Sequence, residues 1–391
     1  VPVPYVNIDL LAETFRLRFA DTVLGLYNAM SGSAFSQATV FALGIQPYIN
    51  ASIIIELLTI AIPALERLAK EGGEEGRKKI KNITRYSTIG LGLLMGFAYF
   101  IMLKNYNLLS EGQTGFLNGL VIVLTFTAGA SFLMWMGEQI DEFGIGNGIS
   151  MILFAGIVSR IPSLVSNLVS MTWYIAMLLV IGILAIIVFI VFITDSERRI
   201  PVQYAKRVVG RKMYGGQNSH LPIKVNMSGV LPIIFAQSIA SLPATIIAFT
   251  GTGSSGFWNW MNTYVFDTKS VVYMVCYFLL IIAFSYFYAT IQFNPIEIAN
   301  NLKKNGGFIP GFRPGKPTSD FILKVINKIT LFGALYLAII ALLPIIVGNI
   351  LGNRSLGIGG TSVIIVVGVA LETVKAMEAQ MLMRHYKGFL E

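Results

Sequence analysis

Nine long stretches without a single Asp, Glu, Lys or Arg constrain this 391-residue chain more than any other feature. They are Thr22–Ile55, Tyr86–Leu103, Gly112–Gly137, Phe143–Ser159, Ile161–Thr194, Val225–Phe266, Ser270–Ile296, Ile329–Asn353 and Ser355–Leu371. A bilayer core is about 30 Å thick and takes about 20 helical residues to cross. The stretches therefore predict nine spans, at roughly 38–60, 86–104, 117–137, 147–168, 172–194, 226–249, 271–293, 325–349 and 361–384. Gly and Pro interrupt several of them. Neighbouring helices can satisfy the freed backbone groups, so the interruptions are compatible with spanning. Composition agrees: 55% of residues are hydrophobic and 13% charged, about half the charged share of a soluble domain. A water-soluble or disordered chain is excluded.

Charge supplies the orientation. The net charge is +9, and the basic residues fall on one side. Segments 63–86, 195–224 and 294–319 with the tail hold 20 of the 29 Lys and Arg, against six on the opposite side. Basic loops face the cytoplasm, which puts the C-terminus there. Nine spans then leave Val1 outside without a signal peptide, and the expectation is a further span ahead of Val1. Cys276 is the one cysteine, so no disulfide forms within the chain, and His220 and His385 lie far apart. No metal, cofactor or catalytic residue is expected.

Three features ask for a function. Asp21–Ser36 is apolar but too short to span; a helix folded back into the protein and an interfacial helix are both compatible with it. Glu56 and Glu372 lie within predicted spans, where an ionisable group is a functional candidate. An ion-coupled small-solute transporter would use such a pair. The plainer reading is that each sits near the basic side and is solvated or paired there, Glu372 having Lys375 three residues on. Finally, 195–224 and 294–319 are long for a solute carrier. They suit docking of a large anionic partner, or topology-setting charge against anionic lipid. GIGNGIS at Gly144–Ser150 lacks the strand that a nucleotide loop needs and reads as a tight turn entering a helix.

Several strings identify the chain more closely. They are FALGIQPYINASIII (Phe41–Ile55), EGGEEGRKKIKNITRY (Glu71–Tyr86), FLMWMGEQIDEFGIGNGIS (Phe132–Ser150), HLPIKVNMSGVLPIIFA (His220–Ala236), FNPIEIANNLKKNGGFIPGFRPG (Phe293–Gly315) and GGTSVIIVV (Gly359–Val367). In this order they resemble the SecY family, channel subunits of the bacterial protein translocon, over nearly the whole chain. The resemblance implies an all-α polytopic membrane protein, a ten-span clamshell of two pseudo-symmetric halves, here 1–168 and 169–391. It implies a passive protein-conducting channel in the bacterial cell membrane. Unfolded secretory polypeptides would cross it and hydrophobic signal sequences would leave sideways into the lipid bilayer.

The same resemblance assigns residues. A pore ring falls on Ile45, Ile49, Ile149, Leu153, Ile234 and Ile365. A plug falls on about Thr22–Ser33, which favours the folded-back helix. A lateral gate lies between spans 38–60 and 226–249, with 86–104 and 271–293 assisting; Asn50 and Asn226 are its polar positions, and Met95 occupies a third. Arg198, Arg199, Lys206, Arg207 and Arg313 fall in loops that dock the SecA ATPase and the ribosome. SecE is expected to clamp the halves and SecG to attach.

Overall fold

A computed structural model describes residues 1–19, 23–70, 72–110, 115–169, 172–204, 207–209, 212–214, 218–227, 229–250, 264, 270–351 and 354–387. Helices dominate. In chain order they are α1 (Ile8–Thr14), α2 (Val23–Met30), α3 (Gln46–Ala61), α4 (Pro63–Lys70), α5 (Gly73–Asn105), α6 (Phe116–Phe143), α7 (Gly148–Val158), α8 (Ile161–Val169), α9 (Trp173–Asp195), α10 (Leu231–Thr250), α11 (Val271–Gln292), α12 (Pro295–Lys304), α13 (Lys316–Leu351) and α14 (Arg354–Lys387). Among the described residues, five helices are long and apolar enough to cross a bilayer, and α3 with α4 makes a sixth if the bent pair is one span.

The boundaries follow local chemistry. Helix α3 starts at Gln46 rather than 38, because Gly44 turns the chain at φ +57 and Pro47 sits in the first turn, where its missing N–H costs nothing. It stops before Pro63, which pushes Ile62 into an extended conformation (φ −109, ψ 113), and the chain turns through 105° into α4. The expected span 147–168 is divided: α7 is capped by the Asn147 side chain and ends at Ser159, and α8 follows. Helix α5 is one 33-residue rod that begins inside the basic segment.

Apolar burial alone does not hold such helices together in lipid; close packing and satisfied polar groups do. Helices α5 and α6 meet at small residues, where a Cβ on Gly96 would lie 3.3 Å from the Val123 carbonyl oxygen. Their ends are joined by the Arg85 guanidinium on the buried Glu138 carboxylate, Nη2 to Oε2 at 2.6 Å. Hydroxyls inside the spans bond back to their own helix, as Thr88 Oγ1 does to the Thr84 carbonyl at 2.8 Å.

The two long basic segments are not merely loops, as the sequence suggests. Strand β1 (Glu197–Tyr204) pairs antiparallel with β4 (Asn218–Lys224), and a small hairpin, β2 (Arg207–Val209) with β3 (Lys212–Tyr214), lies between them in sequence. Strand β5 (Gly307–Phe308), from the other basic segment, joins the outer edge of β1. Thus 195–224 and 294–319 share one three-stranded sheet, ordered β4-β1-β5. A small core of Ile200, Val202, Ile223, Leu302, Ile309 and Ile322 fills its inner face.

Candidate pore, gate and docking surface

The six residues assigned to a pore ring converge. Ile45 and Ile49 come from the start of α3, Ile149 and Leu153 from α7, Ile234 from α10 and Ile365 from α14. All six belong to one buried apolar cluster, and none is more than 8% exposed. Each pair on α3 and α7 is spaced i, i+4, so both members face one way. Branched apolar side chains packed without polar groups exclude water and ions, and they deform without breaking bonds. Both halves of the chain contribute to the cluster.

Helix α2 ends on it. Met30, its last residue, lies in the same cluster, and the helix packs against α7, α10 and α14. The short apolar segment is therefore folded into the protein at this point. Its contacts are close but weak. A Cβ on Gly156 of α7 would stand 2.5 Å from the Met30 carbonyl oxygen, so only glycine lets α2 sit this near. The Gln46 amide donates to Met30 Sδ at 3.5 Å and the Gln237 amide donates to the same sulfur at 3.3 Å. Thioether sulfur is a weak acceptor. The turn after α2 is tied by Asn28 Oδ1, which accepts from the Ser36 N–H at 2.9 Å, and by the Tyr99 hydroxyl, which donates to the Phe35 carbonyl at 2.7 Å.

The helices assigned to the gate are neighbours: α10 packs against both α3 and α5. The asparagines lie apart in kind. Asn50 is buried on α3, with its Oδ1 unpartnered among the described residues. Asn226 lines a small cavity with Ser285 of α11 and Thr330 of α13. Met95 faces α2 instead, its sulfur 4.0 Å from the Tyr27 hydroxyl. The polar contact that does join α3 to α10 was not singled out from sequence: Ser238 Oγ donates to Gln46 Oε1 at 3.4 Å, in a buried setting. Polar side chains in an apolar span are the signal that could have found it.

The two carboxylates are engaged. Glu56 Oε2 accepts from the Tyr288 hydroxyl at 2.7 Å. Glu372 accepts from the Val230 N–H at the start of α10, where the helix end favours negative charge. Lys375 pairs with Asp195 of α9 at 2.5 Å.

On the basic side, Arg198 and Arg199 are exposed on β1, and Arg199 Nε meets Glu197 Oε1 at 2.6 Å. Arg313 is exposed in the turn after β5, where its carbonyl accepts from Thr318 Oγ1 at 2.7 Å. Arg198 and Arg199 thus lie on the sheet, and Arg313 follows its strand β5 in the chain. Lys206 lies outside the described residues, and Arg207 opens β2. Among the described residues no group of His, Cys, Asp and Glu could hold a metal.

Comparison with known proteins places the chain in a family and fold. The SecY family model matches residues 39–374. The chain is 45% identical over 411 residues to the protein translocase subunit SecY of Bacillus subtilis (strain 168), covering 100% of this chain and 92% of that one. A solved structure described as a protein conducting channel matches with a TM-score of 0.63 at 18% identity, over 97% of this chain and 93% of that one. Sec61 in the canine ribosome–channel complex matches with a TM-score of 0.58 at 16% identity, over 95% and 90%. With the family matched over most of its length and close relatives over all of it, the chain belongs to the SecY family.

Proposed function

We propose that polypeptides pass through the six-residue apolar cluster, with α2 as its removable plug and the α3–α10 seam as its side exit. The chain is a multi-pass membrane protein and a protein-conducting channel of the SecY family. That overturns the ion-coupled solute carrier as an alternative. The engagement of Glu56 with Tyr288, and of Glu372 with the start of α10, gives both carboxylates another role.

One observation carries the reading: the six ring residues, from four helices of both halves, fall in one buried apolar cluster that also takes in Met30, the last residue of the short α2. The halves are 1–168 and 169–391, opening about the connection between α8 and α9. The basic face lies in the cytoplasm, by the rule that Lys and Arg concentrate there, and the C-terminus with it. The sheet that joins the two basic segments is the docking platform for the SecA ATPase and for the ribosome. Its exposed arginines offer bidentate donors to carboxylate or phosphate. SecE clamps the halves and SecG attaches at the periphery. The channel itself supplies no chemistry, since energy comes from the partners.

The path is tested by cross-linking. In a Cys276→Ser background, cysteines replacing Ile49 or Ile234 are expected to cross-link to a secretory polypeptide stalled in transit. A cysteine replacing the exposed Leu94 is the control and stays unlinked. Equal labelling at all three positions would place the path elsewhere.

A further inference from the structure

Glu56 and Tyr288 serve neither the ring, the plug nor the docking platform, yet they join the two halves. Glu56 lies on α3, a turn and a half before the break into α4. Tyr288 lies near the end of α11. Its hydroxyl donates to Glu56 Oε2 at 2.7 Å.

The tyrosine is held so that this bond is aimed. It is 4% exposed. Its ring centroid is 5.1 Å from that of Phe235 on α10 and 5.8 Å from that of Phe287. Phe235 also meets Phe284 of α11 edge-on at 6.2 Å. Helices α10 and α11 therefore carry Tyr288 as one packed unit, and its hydroxyl reaches the other half. If α3 parts from α10, Tyr288 leaves with α10 and the bond breaks. The half-buried carboxylate then loses a charge-assisted partner.

We propose that Glu56 and Tyr288 form a latch across the lateral gate, and that this latch sets how apolar a segment must be to open it. The inference rests on the gate reading above. An apolar segment entering the seam gains contact with lipid and with the parted helices, and that gain must exceed the cost of breaking the latch. A strongly apolar segment does so readily. A weakly apolar one does not, because only the small open population admits it. The latch is a positioning and specificity device and touches no reacting group.

The test compares two secretory reporters in membrane vesicles, one with an intact signal segment and one with a shortened apolar core. Tyr288→Phe and Glu56→Ala are each expected to raise the ratio of shortened to intact transport by about tenfold, the scale of one charge-assisted hydrogen bond. The double variant should do no more than either single one. Glu56→Gln keeps a neutral acceptor and should fall between the unmodified ratio and that of Glu56→Ala, a partial rescue that loss of bulk does not predict. Channel abundance in the membrane, read by immunoblot, checks that Tyr288→Phe assembles. An unchanged ratio in Tyr288→Phe overturns the latch, and so does a Glu56→Gln variant as permissive as Glu56→Ala. A separate arm joins cysteines at Gln46 and Ser238 with a short bis-maleimide, in a Cys276→Ser background. Blocked transport with an unchanged Tyr288→Phe ratio defeats the latch alone. Undiminished transport through the cross-linked channel defeats the gate reading and the latch with it.

Discussion

Met30 is held beside the apolar cluster by two amide–sulfur contacts and by the close approach of its carbonyl to Gly156. Contacts of this kind place a side chain without anchoring it, which suits the removable plug proposed for α2. Gly156→Leu makes the point measurable. The added side chain meets the Met30 carbonyl, and overpacking of this kind costs about 1–3 kcal/mol. The population with α2 displaced should rise about tenfold or more, seen as higher ion conductance in planar bilayers. Unchanged conductance would show that α2 shifts without opening a path. At this scale the family strings carry five of the six proposed ring residues in order, Leu153 lying just beyond one of them, and the i, i+4 spacing is visible. The proposed gate positions are less legible. Asn226 is polar and correctly noticed, but spacing along one helix does not say which neighbour a side chain faces, and here it faces α11 and α13. Glu56 stood out as a charge in a span. Its partner Tyr288, 232 positions away, is one of 16 tyrosines and carries no local mark.

At the scale of elements, the sheet uniting the two basic segments is the main addition to what the sequence conveys. The segments read as loops because their Gly, Pro, Lys and Arg obscure a short alternation: in β1, Ile200 and Val202 are buried while Arg199, Pro201 and Gln203 are exposed. Strand β5 has two residues, too few for any periodicity, and exists through its pairing with Gln203 and Tyr204. The shared core predicts coupled stability. Ile200→Ala should cost about 2–4 kcal/mol of local stability. Hydrogen exchange should then quicken across 197–204, 218–224 and 307–308 together, whereas quickening confined to 197–204 would show that the segments are independent. Function should follow the same support. Arg313→Glu leaves the core untouched and reverses an exposed charge, so SecA-driven secretion should fall sharply in vesicles while channel abundance holds. Normal secretion would remove Arg313 from the docking surface.

For the whole molecule, nine uncharged stretches announced a polytopic helical membrane protein and the family resemblance a channel, but the stretches could not tell a straight span from a broken one. Helices α3 and α4 form a bent pair, α7 and α8 divide one expected span, and α2 was too short to place without knowing what it packs on. Those irregular pieces, α3 and α7 with the end of α2, meet at the cluster with residues of the longer α10 and α14, and irregular backbone is tolerated in a membrane only where protein or a cavity covers it. Helix α9 is the most exposed of the long apolar helices, with 11% of its apolar window buried. The proposed channel predicts how its seal is shared: the six ring residues are buried by packing, and α2, the proposed plug, ends against them. Deleting residues 23–33 should therefore make the reconstituted channel leak ions, yet in bursts rather than steadily, since apolar residues can close over the gap left by α2. Replacing Ile49 by Asn in the deletion should convert bursts to sustained current, because a polar group in the constriction stabilises water there. Single-channel recordings separate the cases. Equal, negligible current from the deletion and the full chain would mean that the cluster seals alone and α2 is dispensable to the barrier. Sustained current from the deletion by itself would mean that α2 carries the seal and the cluster only fits around the moving chain.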